Sequence, residues 1–169
     1  MMTPELCRTL ARYNRWQNLN LYGAASTLDD TARRQDRGGF FRSIQETLSH
    51  LVWGDQTWMS RFAGWEKPAV GIPGSAAFMP LWDEMCARRA EMDGKLVIWA
   101  DTLEEPDLAG ELAWFSGALG RDVSRPKAMC VMHMFNHQTH HRGQVHAMLT
   151  AAGAKPSDTD LFVMPEDFS

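Results

Sequence analysis

Several things are scarce in this sequence, and each scarcity closes off a class of protein. There are three cysteines in 169 residues, Cys7, Cys86 and Cys130, and no C-x-x-C pair. An odd, widely spaced set suits free buried thiols in a reducing compartment, not a disulfide framework or a thiolate zinc site. A catalytic cysteine stays open as the lesser alternative, since a free cysteine is usually a small buried hydrophobe. No apolar run approaches the roughly 18 residues that a membrane span requires. The stretch 1-MMTPELCRTLARYNRWQNLN-20 carries charges throughout and lacks the apolar core of a signal peptide, so a cytoplasmic location is expected. Basic residues form no block or stripe, and the net charge is -4. Neither nucleic acid nor a membrane is therefore an expected partner.

The chain is instead rich in apolar residues, 44% of the total, with seven tryptophans and eleven methionines to fill an adaptable core. This size and composition suit a single globular domain spanning 1–169. Thr3 and Pro4 predict the cap and first residue of a helix reaching about Leu28. The polar segment 29–40 is a connection with room for one helical turn. A second helix starts near Ser43 and runs past Arg61, with His50 inside it. The run 64-GWEKPAVGIPGS-75 is a loop whose Ser75 is placed to cap a third helix, about 76–102, with Pro80 in its first turn. Residues 103–125 read as a short hairpin or an irregular crossover. Ser124 and Pro126 then suit the start of a last helix that stops at Gly153. The expected fold class is all-α, a four-helix bundle with a long irregular crossover before the last helix.

The last helix holds the chemistry. The stretch 133-HMFNHQTHHRGQVH-146 contains five of the six histidines. On a helix, residues four apart lie about 40° apart around the axis, so His137 and His141 share a stripe with His133, and His140 stands about 60° from His137. Two helical histidines grip a first-row metal weakly without a third ligand, for which His50 is the natural supplier. Three imidazoles suit zinc, nickel, copper or iron and leave positions for water or substrate. Spacing alone leaves the bland alternative standing, with His50 as a hydrogen-bonded core residue and His133, His140 and His146 as surface or supporting residues.

Four stretches resemble the DinB (damage-inducible) family: 13-YNRWQNLNLY-22, 43-SIQETLSHLVWGDQTWMSRF-62, 136-NHQTHHRGQVHAMLTAAG-153 and 156-PSDTDLF-162. They cover about a third of the chain. The resemblance implies a four-helix bundle that binds a divalent metal, often zinc or nickel, and is commonly a homodimer. It implies as ligands His50 in T-L-S-H-L, with His137 and His141 in H-Q-T-H-H-R-G-Q. Better characterised relatives use low-molecular-weight thiols as S-transferases or isomerases, and many members have no known reaction.

Around the ligands, Asp55 is a candidate to orient a histidine, or else a bundle hydrogen-bonding residue. Arg142 and Gln144 either support the site or bond across the bundle or a dimer contact. Trp16, Trp53 and Trp58 are expected in the core. The leading functional expectation is a metal-dependent enzyme that activates a thiol or water toward a small electrophile, with His140 as candidate proton shuttle. The alternative is a non-catalytic metal-binding stress-response bundle acting through protein partners. A third is a bundle without metal. Nothing in the loops names a substrate.

Overall fold

Thr3 opens the first helix as expected. Its hydroxyl accepts the Leu6 N–H at 3.2 Å, and Pro4, whose missing N–H has no helical partner to lose there, is the first helical residue. In the computed structural model, which describes residues 2–168, α1 runs Pro4–Ser26 and the short α2 Asp30–Arg34. Ser43 caps α3, Ile44–Phe62, accepting the Glu46 N–H at 3.1 Å while donating to the Glu46 carboxylate at 2.9 Å. The next long helix, α4, begins later than expected, at Trp82, and ends at Thr102. Pro80 disfavours helical geometry at Met79, so Pro80 lies in the connection and not in the first turn. Ser75 caps nothing; it is buried in a 3-10 turn, Ile72–Ala77, with its hydroxyl against α3.

The fold is mainly α, as expected, and of the two readings for residues 103–125 the short β-hairpin is the one the structure holds. After a 3-10 turn at Glu105–Leu108, β1 (Glu111–Ser116) and β2 (Arg121–Pro126) pair antiparallel, Glu111 opposite Pro126 and Ser116 opposite Arg121. Ser124 lies in β2, its hydroxyl on the Glu111 carboxylate at 3.0 Å. The last helix, α5, runs Lys127–Ala151 and stops before Gly153, whose φ of 82° is the left-handed geometry that glycine adopts freely. The tail folds back: the Tyr13 hydroxyl donates to the Thr159 carbonyl at 2.5 Å and Gln17 to the Asp158 carbonyl at 3.0 Å. Among the described residues no helix is long and apolar enough to cross a membrane.

Helix α1 lies against α4 and α5, and α3 against α5 and α4. Their buried apolar side chains form two clusters, one around Leu21, Leu48, Met85 and Leu149, the other around Ala11, Met59, Leu96 and Met134. A polar layer separates them. Arg89 donates to Asp55 at 2.6 Å and pairs with Asp93 at 2.9 Å. Asp93 accepts from Asn14 at 3.2 Å and Asn18 at 2.9 Å, and Arg142 donates to the Asn14 side-chain oxygen. All six are buried, and each long helix supplies at least one. Two arginines and two aspartates leave the layer neutral.

Removing one member of a buried ion pair strands its partner's charge. Asp55→Ala is therefore expected to destabilise the fold by about 3 kcal/mol in urea titration, and unchanged stability would mean the layer does not constrain the helices.

Candidate metal centre

Where α3 and α5 lie side by side, His50 meets His137 and His141, which stand one turn apart on α5. One nitrogen from each lies within 4.8 Å of the others, and among the described residues no other His, Cys, Asp or Glu joins them. The closest approach is 3.1 Å, between His50 Nε2 and His137 Nε2. Helix α3 permits this approach because residue 54 is glycine: a Cβ there would come 3.1 Å from His137 Cε1.

The far sides of two rings are held in place. His50 Nδ1 bonds Ser75 Oγ at 2.8 Å, and His141 Nδ1 bonds Gln144 Oε1 at 2.8 Å. The Gln144 amide donates its other end to His140 Nε2 at 3.3 Å, which turns its carbonyl toward His141 and leaves His141 protonated at Nδ1. Such partners fix the ring and direct the Nε2 lone pair into the site. Phe41 covers one side, its ring stacked on His50 at 3.9 Å. It is carried by a tight turn in which the Arg42 N–H reaches the Gly39 carbonyl at 2.8 Å with Arg42 at φ 68°. A non-glycine residue in that region costs on the order of 1 kcal/mol or more.

Burial holds all three imidazoles neutral. It pushes His50 down to about 4 and, helped by the neighbouring His141 and His50 rings, His137 to about 3. It lowers His141 as well, against the opposing bond from Gln144. Neutral imidazole is the form that ligates metal. Tetrahedral sites with metal–nitrogen bonds of 2.0–2.1 Å space their donors by about 3.3 Å, close to the His50–His137 separation. His137 Nδ1 is buried without a partner. With the ring proton there, His50 and His137 direct two lone pairs at one gap, which a divalent cation satisfies. The donor set thus fits zinc or nickel.

The other expected site residues divide. Gln144 supports His141 as described. Asp55 does not orient a ligand: its carboxylate is taken by Arg89, and the partner of His50 is Ser75. Arg142 likewise turns inward to Asn14 and over the Tyr13 ring. His140 is exposed, its ring centroid 4.8 Å from that of His141. His146 bonds the Ser157 carbonyl of the tail at 3.4 Å. His133 packs edge-on to Trp58. Both lie on a cavity of about 410 Å³ that opens from His50 and His137 and is walled by Trp53, Trp114 and the hairpin turn 116–119. Trp53 and Trp58, expected in the core, line this cavity, whereas Trp16 is buried beside Tyr13.

Long helices that bring three neutral imidazoles together beside a cavity define a helical protein with a candidate metal centre. The chain belongs to the DinB family, whose model matches residues 1–167. It is similar to Protein DinB of Bacillus subtilis (strain 168), 26% identical over 158 residues, which cover 89% of this chain and 88% of that protein.

The lowered histidines have a measurable consequence for the metal-free protein. As pH falls from about 6.5, an unfolded chain takes up protons that His50 and His137 refuse until about 4 and 3, so they make stability fall with pH across that window. Urea midpoints in chelator should therefore drop between pH 6.5 and 4 more steeply for wild type than for His50→Gln/His137→Gln, in which the shared carboxylates cancel. Equal slopes would contradict the assignment.

Proposed function

We propose that this DinB-family chain is a single-domain four-helix bundle in which His50, His137 and His141 hold one divalent ion, zinc or nickel, and activate a thiol or water for transfer to a small electrophile. The convergence of the three nitrogens beside an open cavity carries this reading. Three protein ligands with a free position is the arrangement of catalytic rather than structural sites. The ion supplies Lewis acidity, which brings the pKa of a thiol or water toward neutrality.

The chain's own residues do the rest. Ser75 and Gln144 hold His50 and His141 in one orientation, and Gln144 fixes the tautomer of His141. Phe41 closes one side against water, so substrate enters along the tryptophan-lined cavity. A thiol R–SH gives up its proton, for which the exposed His140 is the candidate acceptor once its Nε2 releases the Gln144 amide; its sulfur then bonds to the electrophilic carbon, and the leaving group departs with the electron pair. A cellular low-molecular-weight thiol and a homodimeric assembly belong to the same proposal. The alternative, a non-catalytic metal-binding bundle working through protein partners, requires a fourth protein ligand to close the site.

Incubation of metal-loaded protein with a panel of small thiols and an alkylating electrophile should give conjugation that chelator abolishes and re-added metal restores. No turnover with any thiol would count against transfer. Ser75→Ala should fold normally and weaken metal affinity by about tenfold or more, as removal of a ligand's hydrogen-bond partner does. Affinity unchanged by competition titration would deny Ser75 that role.

A further inference from the structure

Helix α3 carries more than His50 toward the cavity. His50, Gly54, Thr57 and Arg61 fall within about 40° of a single line along it. The last two hold polar groups that the fold leaves unused. Thr57 is 7% exposed, yet its hydroxyl has no hydrogen-bond partner. The Arg61 guanidinium lies 4.5 Å from the ring centroid of Trp58 and 5.2 Å from that of Trp114. Among the described residues it has no hydrogen bond or ion pair, whereas the buried Arg33, Arg89 and Arg142 all donate to acceptors. No aspartate or glutamate lines the cavity.

We propose that Arg61, with Thr57, recognises a carboxylate on the small molecule that the histidine site acts on; this rests on the function proposed above. Stacking against aromatic faces uses the guanidinium's charge and flat surface but none of its N–H groups, so a rigid fork of donors stays free for a planar acceptor. Such a fork matches a carboxylate with two parallel hydrogen bonds. The Thr57 hydroxyl, one turn closer to His50, supplies a third donor. At 1.5 Å per residue Thr57 stands about 10 Å along the helix from His50. The carboxylate is therefore remote from the reacting atom, at the opposite end of a molecule whose middle packs against tryptophan. A cavity of about 410 Å³ admits one such molecule. The same positive charge that draws the acid end excludes cationic competitors of equal size.

The probes are 3-phenylpropionate and its uncharged amide, titrated into the protein as purified and again after saturation with Zn²⁺, with the Trp58 and Trp114 indole N–H signals followed by NMR. The acid should bind at least about tenfold more tightly than the amide. That preference should vanish in Arg61→Gln, survive only in part in Arg61→Lys and shrink in Thr57→Val, with folding checked by circular dichroism. Equal affinity for acid and amide, or a preference that persists in folded Arg61→Gln, would overturn the proposal. Metal content measured on the same samples separates the two claims. Metal bound without carboxylate preference contradicts this inference alone, and carboxylate preference without metal binding contradicts the proposed function alone.

Discussion

Two imidazole nitrogens, on residues 87 positions apart in the chain, are held 3.1 Å from each other between α3 and α5. Much that is unusual nearby follows from that approach. At residue 54 a side chain would press on His137, a Cβ there coming 3.1 Å from His137 Cε1. A 3-10 turn from a distant loop delivers the Ser75 hydroxyl to the back of His50. A tight turn with Arg42 in a left-handed conformation sets Phe41 on the His50 face. Burial keeps the rings neutral, and neutral rings can share a cation where charged ones would repel.

The approach survives because the helices cannot rotate freely. On α5 the candidate ligands His137 and His141 alternate with the inward-facing Gln138 and Arg142, their immediate neighbours, so two faces about 100° apart are fixed together. Arg142 reaches Asn14, which with Asn18 bonds Asp93, and Asp93 shares Arg89 with Asp55. Turning α5 to move its histidines would strand charges in the middle of the protein. A layer of this kind contributes less to stability than an apolar one of equal volume, but it tolerates only one register. Here that register is the one that brings the three histidines together.

The helices were legible in the sequence wherever a local signal sets a boundary: Thr3 with Pro4, Ser43 and Gly153 each do what their chemistry predicts. The histidine set was legible as candidate ligands for the same reason, since i, i+4 spacing is local, and His50, the one histidine outside the last helix, was the natural third, which the family resemblance also implied. Of the two readings the sequence left for Asp55, the bundle hydrogen-bonding one holds, since five residues carry a side chain about 140° round a helix, away from His50 and toward Arg89. Ser75, Phe41 and Trp114 were not legible as site residues, because each reaches the site through a loop or hairpin whose path no local pattern records. Ser75 in particular looks like a cap to its own neighbours. Arg61 and Thr57 have ordinary helical surroundings in sequence, and only the fold shows that, among the described residues, neither side chain has a hydrogen-bond partner.

The three-histidine centre is tested most directly by elemental mass spectrometry on untagged protein, with X-ray absorption at the edge of the metal found. The expected result is near-stoichiometric zinc or nickel with about three nitrogen neighbours at roughly 2.0–2.1 Å, lost from His50→Ala and His141→Ala that remain helical. Negligible metal after incubation with Zn²⁺ or Ni²⁺, or full occupancy retained in both variants, would contradict it.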